Sequence, residues 1–155
     1  MATEFETSFF DATDNTALVC VDHQQYQKLV VPQLIDMTYK VHLGLFEEDV
    51  LLKLKTYSYN VVIVYENFKG STVETNPILR DMVNRPGAQR RDHFVVLLSN
   101  RFATNDAMSA FVQSVDQIIN ISDLANFKPV LRRGVTQYRE LYQSFHETMK
   151  AVQTI

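Results

Sequence analysis

Short apolar runs without polar alternation recur along the 155-residue chain. They lie at residues 17–21, 61–64, 94–98 and 118–119. Uninterrupted apolar runs of this length are typical of strands that are buried on both faces, as the strands of a parallel sheet are. A fifth, more polar run at residues 40–45 alternates as an exposed edge strand does. The pattern therefore predicts five strands, one of them at an edge.

Amphipathic helical patterns separate these runs. Residues 46–56 have apolar positions at helical spacing and begin with three acids, which the helix dipole favours in a first turn. Asn76 followed by Pro77 predicts a helix cap with proline at the first helical position. Thr104 is predicted to cap the next helix. The last pattern, at residues 130–152, repeats at steps of three and four and predicts the longest helix.

Two prolines affect the predicted helices. Pro32 falls inside the helical pattern of residues 24–37, where an interior proline costs about 3 kcal/mol, so we expect a kink or a late start. Pro129 is accommodated if residues 122–127 form a separate turn and the last helix begins near Lys128.

The alternation of strands and helices predicts an α/β fold. Five such repeats give right-handed βαβ units and a doubly wound parallel sheet with helices on both faces. For five strands the common order is 2-1-3-4-5, with a ligand crevice outside the carboxyl ends of strands one and three. The length predicts one domain, with residues 1–15 as an N-terminal extension and residues 16–155 as the core. Function is therefore expected at Asp22, Tyr65 and Ser99, which follow the strands.

Composition and charge exclude several classes of protein. The chain is 46% hydrophobic and 21% charged, with four glycines and four prolines, as an ordinary globular protein is. A net charge of −3 provides no large basic surface, so we expect no nucleic-acid partner. The first residues carry acids and no long apolar run, so we expect a cytoplasmic protein without a membrane partner. The single cysteine, Cys20, lies in an apolar run and is predicted to pack as a small hydrophobe.

The residues at the strand ends resemble those of receiver domains, the phosphorylated domains of response regulators, over about residues 16–147. Receivers end the first strand with two adjacent acids that hold magnesium, and here Asp22 is followed by His23. They end the third strand with the aspartate that accepts phosphate, and this sequence has Tyr65 at that position. The fourth strand ends with a serine or threonine, as it does here with Ser99. The resemblance implies a flavodoxin-like fold.

The fifth strand departs further from the receiver pattern. The positions of the switch aromatic, the lysine and the following proline hold Gln117, Asn120 and Ile121. The resemblance therefore implies a degenerate receiver that is not an enzyme and needs no cofactor. Glu66 is a candidate substitute acceptor, but strand alternation points it away from the face that Tyr65 occupies.

Five short segments carry a more particular resemblance: residues 65–68, 76–80, 101–102, 108–111 and 114–115. In these segments the chain resembles the receiver-like domains at the ends of some deltaproteobacterial zinc-ribbon proteins. The 155 residues contain no zinc-ribbon segment.

Several other polar residues are candidates for binding a metal ion or a partner. His23 with Asp22 and Glu66 is a weak candidate for a divalent metal, and a polar loop is the simpler interpretation. The remaining histidines have no ligand spacing and are predicted to be structural or solvated: His42, His93 and His146. Three arginines are clustered in one predicted loop, where they contact either an acidic partner or solvent: Arg85, Arg90 and Arg91.

The last helical pattern is longer than a receiver-sized sheet needs for cover. Together with the preceding helix it predicts an interface with a protein partner, or a homodimer through the fourth and fifth helices. The alternative is that the same side chains cover the sheet and the N-terminal residues 5–10. The predicted interface residues are Met108, Phe111, Tyr138, Tyr142, Phe145 and Met149.

Three functions are compatible with these patterns. The sequence favours a pseudo-receiver of bacterial signal transduction that binds a protein partner without being phosphorylated. The first alternative is a small-ligand sensor that uses the crevice at the strand ends. The second is an isochorismatase-like hydrolase, because residues 17–22 resemble the first strand of that group. That chemistry needs a cysteine nucleophile at a later strand end, whereas Cys20 lies in the first strand.

Overall fold

The fold is described from a computed structural model of the chain. It describes residues 14–84 and 93–153. Most of the predicted N-terminal extension lies outside the described residues, as does the predicted loop cluster of Arg85, Arg90 and Arg91. The side chain of His146 also lies outside them.

The strands form one five-stranded sheet in the order β2-β1-β3-β4-β5. All neighbouring strands pair in parallel. This confirms the predicted order and the predicted doubly wound architecture. The strands are β1 (Asn15–Cys20), β2 (Tyr39–Leu43), β3 (Val61–Tyr65), β4 (Phe94–Ser99) and β5 (Gln117–Asn120).

Five α-helices cover the two faces of the sheet within the described residues. One core cluster packs the sheet against the first and last helices, and a second packs it against the three helices between them. The helices are α1 (Gln24–Asp36), α2 (Glu47–Thr56), α3 (Pro77–Val83), α4 (Ala107–Gln113) and α5 (Phe127–Gln153); two short 3-10 turns span Phe68–Gly70 and Ile121–Asn126.

The apolar runs are buried on both sides of the sheet, as their pattern predicts. In β1, Leu18 and Cys20 belong to the cluster under α2, α3 and α4. Ala17 and Val19 belong to the cluster under α1 and α5. All four side chains are fully buried. The edge strand β2 is less exposed than its alternation predicts, because His42 is buried and its Nδ1 lies 2.7 Å from the hydroxyl of Tyr59.

The two prolines are accommodated differently. Helix α1 begins at Gln24 and runs through Pro32, so the predicted late start is wrong. The ring of Pro32 is exposed, so it meets no core packing. Helix α5 begins at Phe127 after a separate 3-10 turn, close to the predicted start. Pro129 therefore lies in the first turn, where its missing N–H has no intrahelical partner to lose.

The predicted cap of α4 is wrong. The helix begins at Ala107, and its N-cap is Asp106. The Asp106 carboxylate accepts the backbone N–H of Ser109 at 3.0 Å and its hydroxyl at 2.8 Å, and these bonds lower the pKa of Asp106. The hydroxyl of Thr104 donates to Asp123 and accepts the N–H of Asn120 at 2.9 Å, so it is engaged elsewhere.

No helix within residues 14–84 and 93–153 is both long enough and apolar enough to cross a bilayer.

Candidate functional site

The carboxyl ends of β1, β3 and β4 meet at one edge of the sheet. Tyr65 and Leu98 are the last registered pair between β3 and β4, so Glu66 and Ser99 follow at the same level. Cys20 pairs with Val64, which places Asp22 at that level on the neighbouring strand. The topology therefore brings three polar side chains from three strands together, as the sequence predicts for this edge.

Glu66 and Ser99 form the centre of this edge. The Glu66 side chain is buried, with 3% of its surface exposed. The Ser99 hydroxyl donates to Glu66 Oε1 at 2.8 Å, and the backbone N–H of Asn100 donates to the same oxygen. Ser99 Oγ also accepts the backbone N–H groups of Arg101 at 3.0 Å and Phe102 at 2.9 Å. A single carboxylate thus organises the start of the loop between β4 and α4.

Tyr65 lies on the other face of the sheet. Its side chain belongs to the cluster under α1 and α5, and its ring meets the edge of Tyr26 at 5.4 Å between centroids. Asn100 Nδ2 donates to the Tyr65 hydroxyl at 3.1 Å. Tyr65 and Glu66 therefore diverge as strand alternation predicts. The resemblance to receivers places Tyr65 at the position of the phosphate acceptor. The side chain that contacts Ser99 is instead that of Glu66.

Asp22 and His23 are directed at different partners. Asp22 Oδ2 accepts the backbone N–H of Lys69 at 3.0 Å, which fixes the turn after β3. The imidazole of His23 stacks on Tyr26, with centroids 3.8 Å apart and an interplanar angle of 16°. Within residues 14–84 and 93–153, no three His, Cys, Asp or Glu side chains are grouped so that they could hold a metal ion.

Asn120 stands where the resemblance to receivers would require a lysine. Its Oδ1 accepts the backbone N–H of Ser122 at 3.0 Å and the Ser122 hydroxyl at 2.8 Å. Its Nδ2 donates to the carbonyl of Phe102 at 2.8 Å. Asn120 therefore ties the end of β5 to the loop between β4 and α4, and it contributes no positive charge.

Asn76 is a site residue whose role was only partly predicted. It caps α3, as the Asn-Pro pair predicts, because Oδ1 accepts the N–H groups of Ile78 and Leu79. Its Nδ2 also donates to the carbonyls of Tyr65 at 2.9 Å and Glu66 at 3.2 Å. The second pair of bonds fixes the end of β3. No local pattern could reveal it, since it joins residues ten and eleven positions apart.

A second candidate site is an apolar surface on α4 and α5. We call it the α4–α5 surface. A groove of about 560 Å³ lies between Phe111 of α4 and Leu141 and Phe145 of α5, and Phe111 is 81% exposed. The surface also includes the further exposed apolar residues Met108, Met149 and Val152, but not Val112, which lines a cavity beside α3.

Two of the predicted interface residues have a different position. Tyr138 and Tyr142 are half-buried, and their rings stack 6.1 Å apart. Tyr138 also meets the ring of Phe94 in the core at 5.3 Å. Tyr138 therefore packs on the core, and both tyrosines also line the groove between α4 and α5, while the other four predicted interface residues are exposed.

The thiol of Cys20 is fully buried, and this burial raises its pKa. We expect a thiol reagent at mild alkaline pH to label the native protein far more slowly than the protein in denaturant, because the reactive form is the thiolate. The Cys20→Ser variant provides the blank. Labelling of the native protein at the rate of a free thiol would contradict this prediction and revive the hydrolase alternative.

Comparison with known proteins shows the fold. No family model and no curated protein matches the sequence. The structure is similar to that of the chemotaxis response regulator CheY4 of Vibrio cholerae, with 17% identity and a TM-score of 0.58 over 79% of this chain and 99% of that one. It is also similar to a response regulator from Thermotoga maritima, with 16% identity and a TM-score of 0.59 over 79% and 98% of the chains.

A third neighbour spans more of the chain. NtrX from Brucella abortus, solved in complex with ADP, matches 89% of this chain and 30% of its own, with 17% identity and a TM-score of 0.62. At these identities the likeness shows the fold alone. The chain has the flavodoxin-like receiver fold, which confirms the predicted fold class.

Proposed function

We propose that the chain is a pseudo-receiver of signal transduction, which binds a protein partner through the α4–α5 surface without accepting a phosphoryl group. The observation that carries this proposal is the contact of Glu66 with Ser99. The carboxylate that faces the hydroxyl is buried and already accepts two donors. It is therefore poorly placed to attack an incoming phosphoryl group.

The surrounding chemistry supports the same proposal. Phosphoryl transfer to a carboxylate needs a metal ion held by further oxygen ligands and a cation over the developing charge. Among the described residues, no ion pair reaches Glu66. Asp22 is engaged by the backbone of Lys69, and Asn120 is neutral and bonded at both ends of its amide.

We expect no phosphorylated species after incubation with a small phosphodonor and magnesium. Intact-mass measurement should return the unmodified chain of 17.9 kDa. An active receiver, such as one of the chemotaxis type, is the positive control in the same mixture. A stoichiometric phosphate adduct would refute the proposal, and its loss in the Glu66→Gln variant would locate the acceptor.

The partner that we propose for the α4–α5 surface is a second copy of the chain. Helix α5 has 27 residues and is about 40 Å long, whereas strands of four to six residues span about 20 Å at most. The last turns of α5 therefore have no sheet to cover. Leu141, Phe145, Met149 and Val152 nevertheless form an exposed stripe at steps of four, four and three residues, which is the spacing of a helix contact.

This stripe is self-complementary about Phe145. In an antiparallel pair of α5 helices with the two-fold axis at Phe145, Leu141 faces Met149 of the second copy. Met149 likewise faces Leu141 of the second copy, so each apolar side chain of the stripe meets an apolar one. Two-fold interfaces of this kind are the commonest among homo-oligomers. The apolar positions of the stripe therefore favour a second copy over an unrelated partner.

A further inference from the structure

The Glu66 carboxylate is the one charged group at the buried centre of the strand-end edge among the described residues. It is stabilised by donors alone, namely the Ser99 hydroxyl at 2.8 Å and the N–H of Asn100. Hydrogen bonds to a charged acceptor are roughly twice as strong as neutral ones. This contact should therefore hold the two strand ends together firmly.

The bonds continue from Ser99 towards α4. Ser99 Oγ accepts the N–H groups of Arg101 and Phe102, and the carbonyl of Phe102 accepts Asn120 Nδ2. Four residues after Phe102, Asp106 caps α4. The position of α4, and with it one side of the α4–α5 surface, thus depends on a loop whose first turn is bonded to Ser99 and Glu66.

We propose that the Glu66 carboxylate is a built-in acceptor which positions the loop between β4 and α4 and so keeps the α4–α5 surface in its binding arrangement. The Ser99 hydroxyl and the N–H of Asn100 both donate to it, so a side chain of the chain itself holds the start of the loop. This role of Glu66 rests on the proposed function of the α4–α5 surface. Its test depends neither on phosphorylation nor on dimer formation.

The test measures the loop and α4 separately in the full-length chain. Hydrogen exchange reports the opening of the amides of Asn100, Arg101 and Phe102. Methyl resonances report the helices, because the five methionines include Met108 on α4. In the Glu66→Ala variant we expect exchange at the three amides to accelerate by about tenfold to a hundredfold. We expect the Met108 resonance to shift.

Two further variants distinguish positioning from general loss of stability. Ser99→Ala removes the hydroxyl from the other side of the contact and should reproduce both effects. Combining it with Glu66→Ala should add little, because both substitutions break one network. The Glu66→Gln variant keeps an acceptor oxygen without the charge and should restore part of the protection.

The control is Asp22→Ala. Asp22 lies at the same edge, but its carboxylate bonds the turn after β3 and does not contact the loop before α4. We expect unchanged exchange at the three amides and an unchanged Met108 resonance. The resonance of Met37, which lies beyond the end of α1, should stay constant in every variant.

The outcomes separate the two proposals. Unchanged exchange and an unchanged Met108 resonance in Glu66→Ala would overturn the positioning role, even if the wild-type chain takes no phosphate. Equal effects of Asp22→Ala and Glu66→Ala would also overturn it. A phosphate adduct on the wild type would instead refute the proposed function and leave the measured effect of Glu66 on the loop intact.

Discussion

Replacing Asn76 with alanine is expected to lower the free energy of unfolding by about 3 to 5 kcal/mol. The side chain is 1% exposed. Its Oδ1 caps α3 through the N–H groups of Ile78 and Leu79, and its Nδ2 bonds the carbonyls of Tyr65 and Glu66. The substitution removes the Asn76 bonds to four backbone groups, of which the Glu66 carbonyl keeps the Ser71 hydroxyl as a donor. Urea denaturation at constant m-value measures the loss.

Two variants control this prediction. Asp106→Ala removes the cap of α4, whose bonds go only to Met108 and Ser109 of its own helix, so the loss should be clearly smaller. Asn76→Asp keeps an acceptor for the cap but turns its second carboxylate oxygen towards the two β3 carbonyls, so at neutral pH its loss should be at least as large as that of Asn76→Ala. Equal losses in Asn76→Ala and Asp106→Ala would show that the bonds to β3 contribute nothing.

The parallel sheet could be predicted from the sequence because each apolar run is buried on both faces, and its strand order is the common one for five strands. In β4, for example, Val95 and Leu97 pack under one layer of helices, and Val96 and Leu98 pack under the other. A strand of this kind has no polar alternation, and strands that alternate with helices can pair only in parallel. The burial of the edge strand β2 was harder to predict. The burial of His42 depends on its contact with Tyr59, which lies outside the strand's own sequence.

The candidate site was predicted in part. Asp22, Tyr65 and Ser99 could be assigned to one edge because the ends of parallel strands meet there, but the side chain that contacts Ser99 is that of Glu66. The choice between Tyr65 and Glu66 could not be made from the sequence alone. A shift of one residue exchanges the two faces of the sheet, and only the pairing of Tyr65 with Leu98 sets Glu66 beside Ser99.

Helix starts were predictable where one local signal stands alone. Asn76 and Pro77 form such a signal, and the structure bears it out. Before α4, Thr104 and Asp106 are both good capping residues only two positions apart. Their roles are decided by Asp123, a residue of the next connection, which engages the Thr104 hydroxyl. Tertiary hydrogen bonds therefore decided the cap that local sequence left ambiguous.

Replacing Leu141 with glutamate is expected to weaken self-association by about a thousandfold. Each copy contributes one Leu141 to the proposed interface, and each loss at a buried apolar contact costs about 2 kcal/mol, so the pair costs about 4 kcal/mol. Analytical ultracentrifugation of the wild type and the variant measures the dissociation constant. The control is Leu52→Glu on α2, because Leu52 is 64% exposed and Leu141 is 72% exposed. That control should dimerise as the wild type does.

The geometry of the pair can be tested with the same chain, because the native Cys20 thiol is buried. Phe145→Cys places two thiols near the proposed two-fold axis, and mild oxidation should link the copies. Leu141→Cys places its thiols about 12 Å apart along antiparallel helices, beyond the reach of a disulfide, whereas a parallel pair would bring them side by side. Linkage in both variants, or in neither, contradicts the antiparallel arrangement. A wild type that remains at 17.9 kDa at high concentration contradicts the dimer itself. Deletion of residues 1–13 then tests whether that segment covers the apolar stripe of α5 instead.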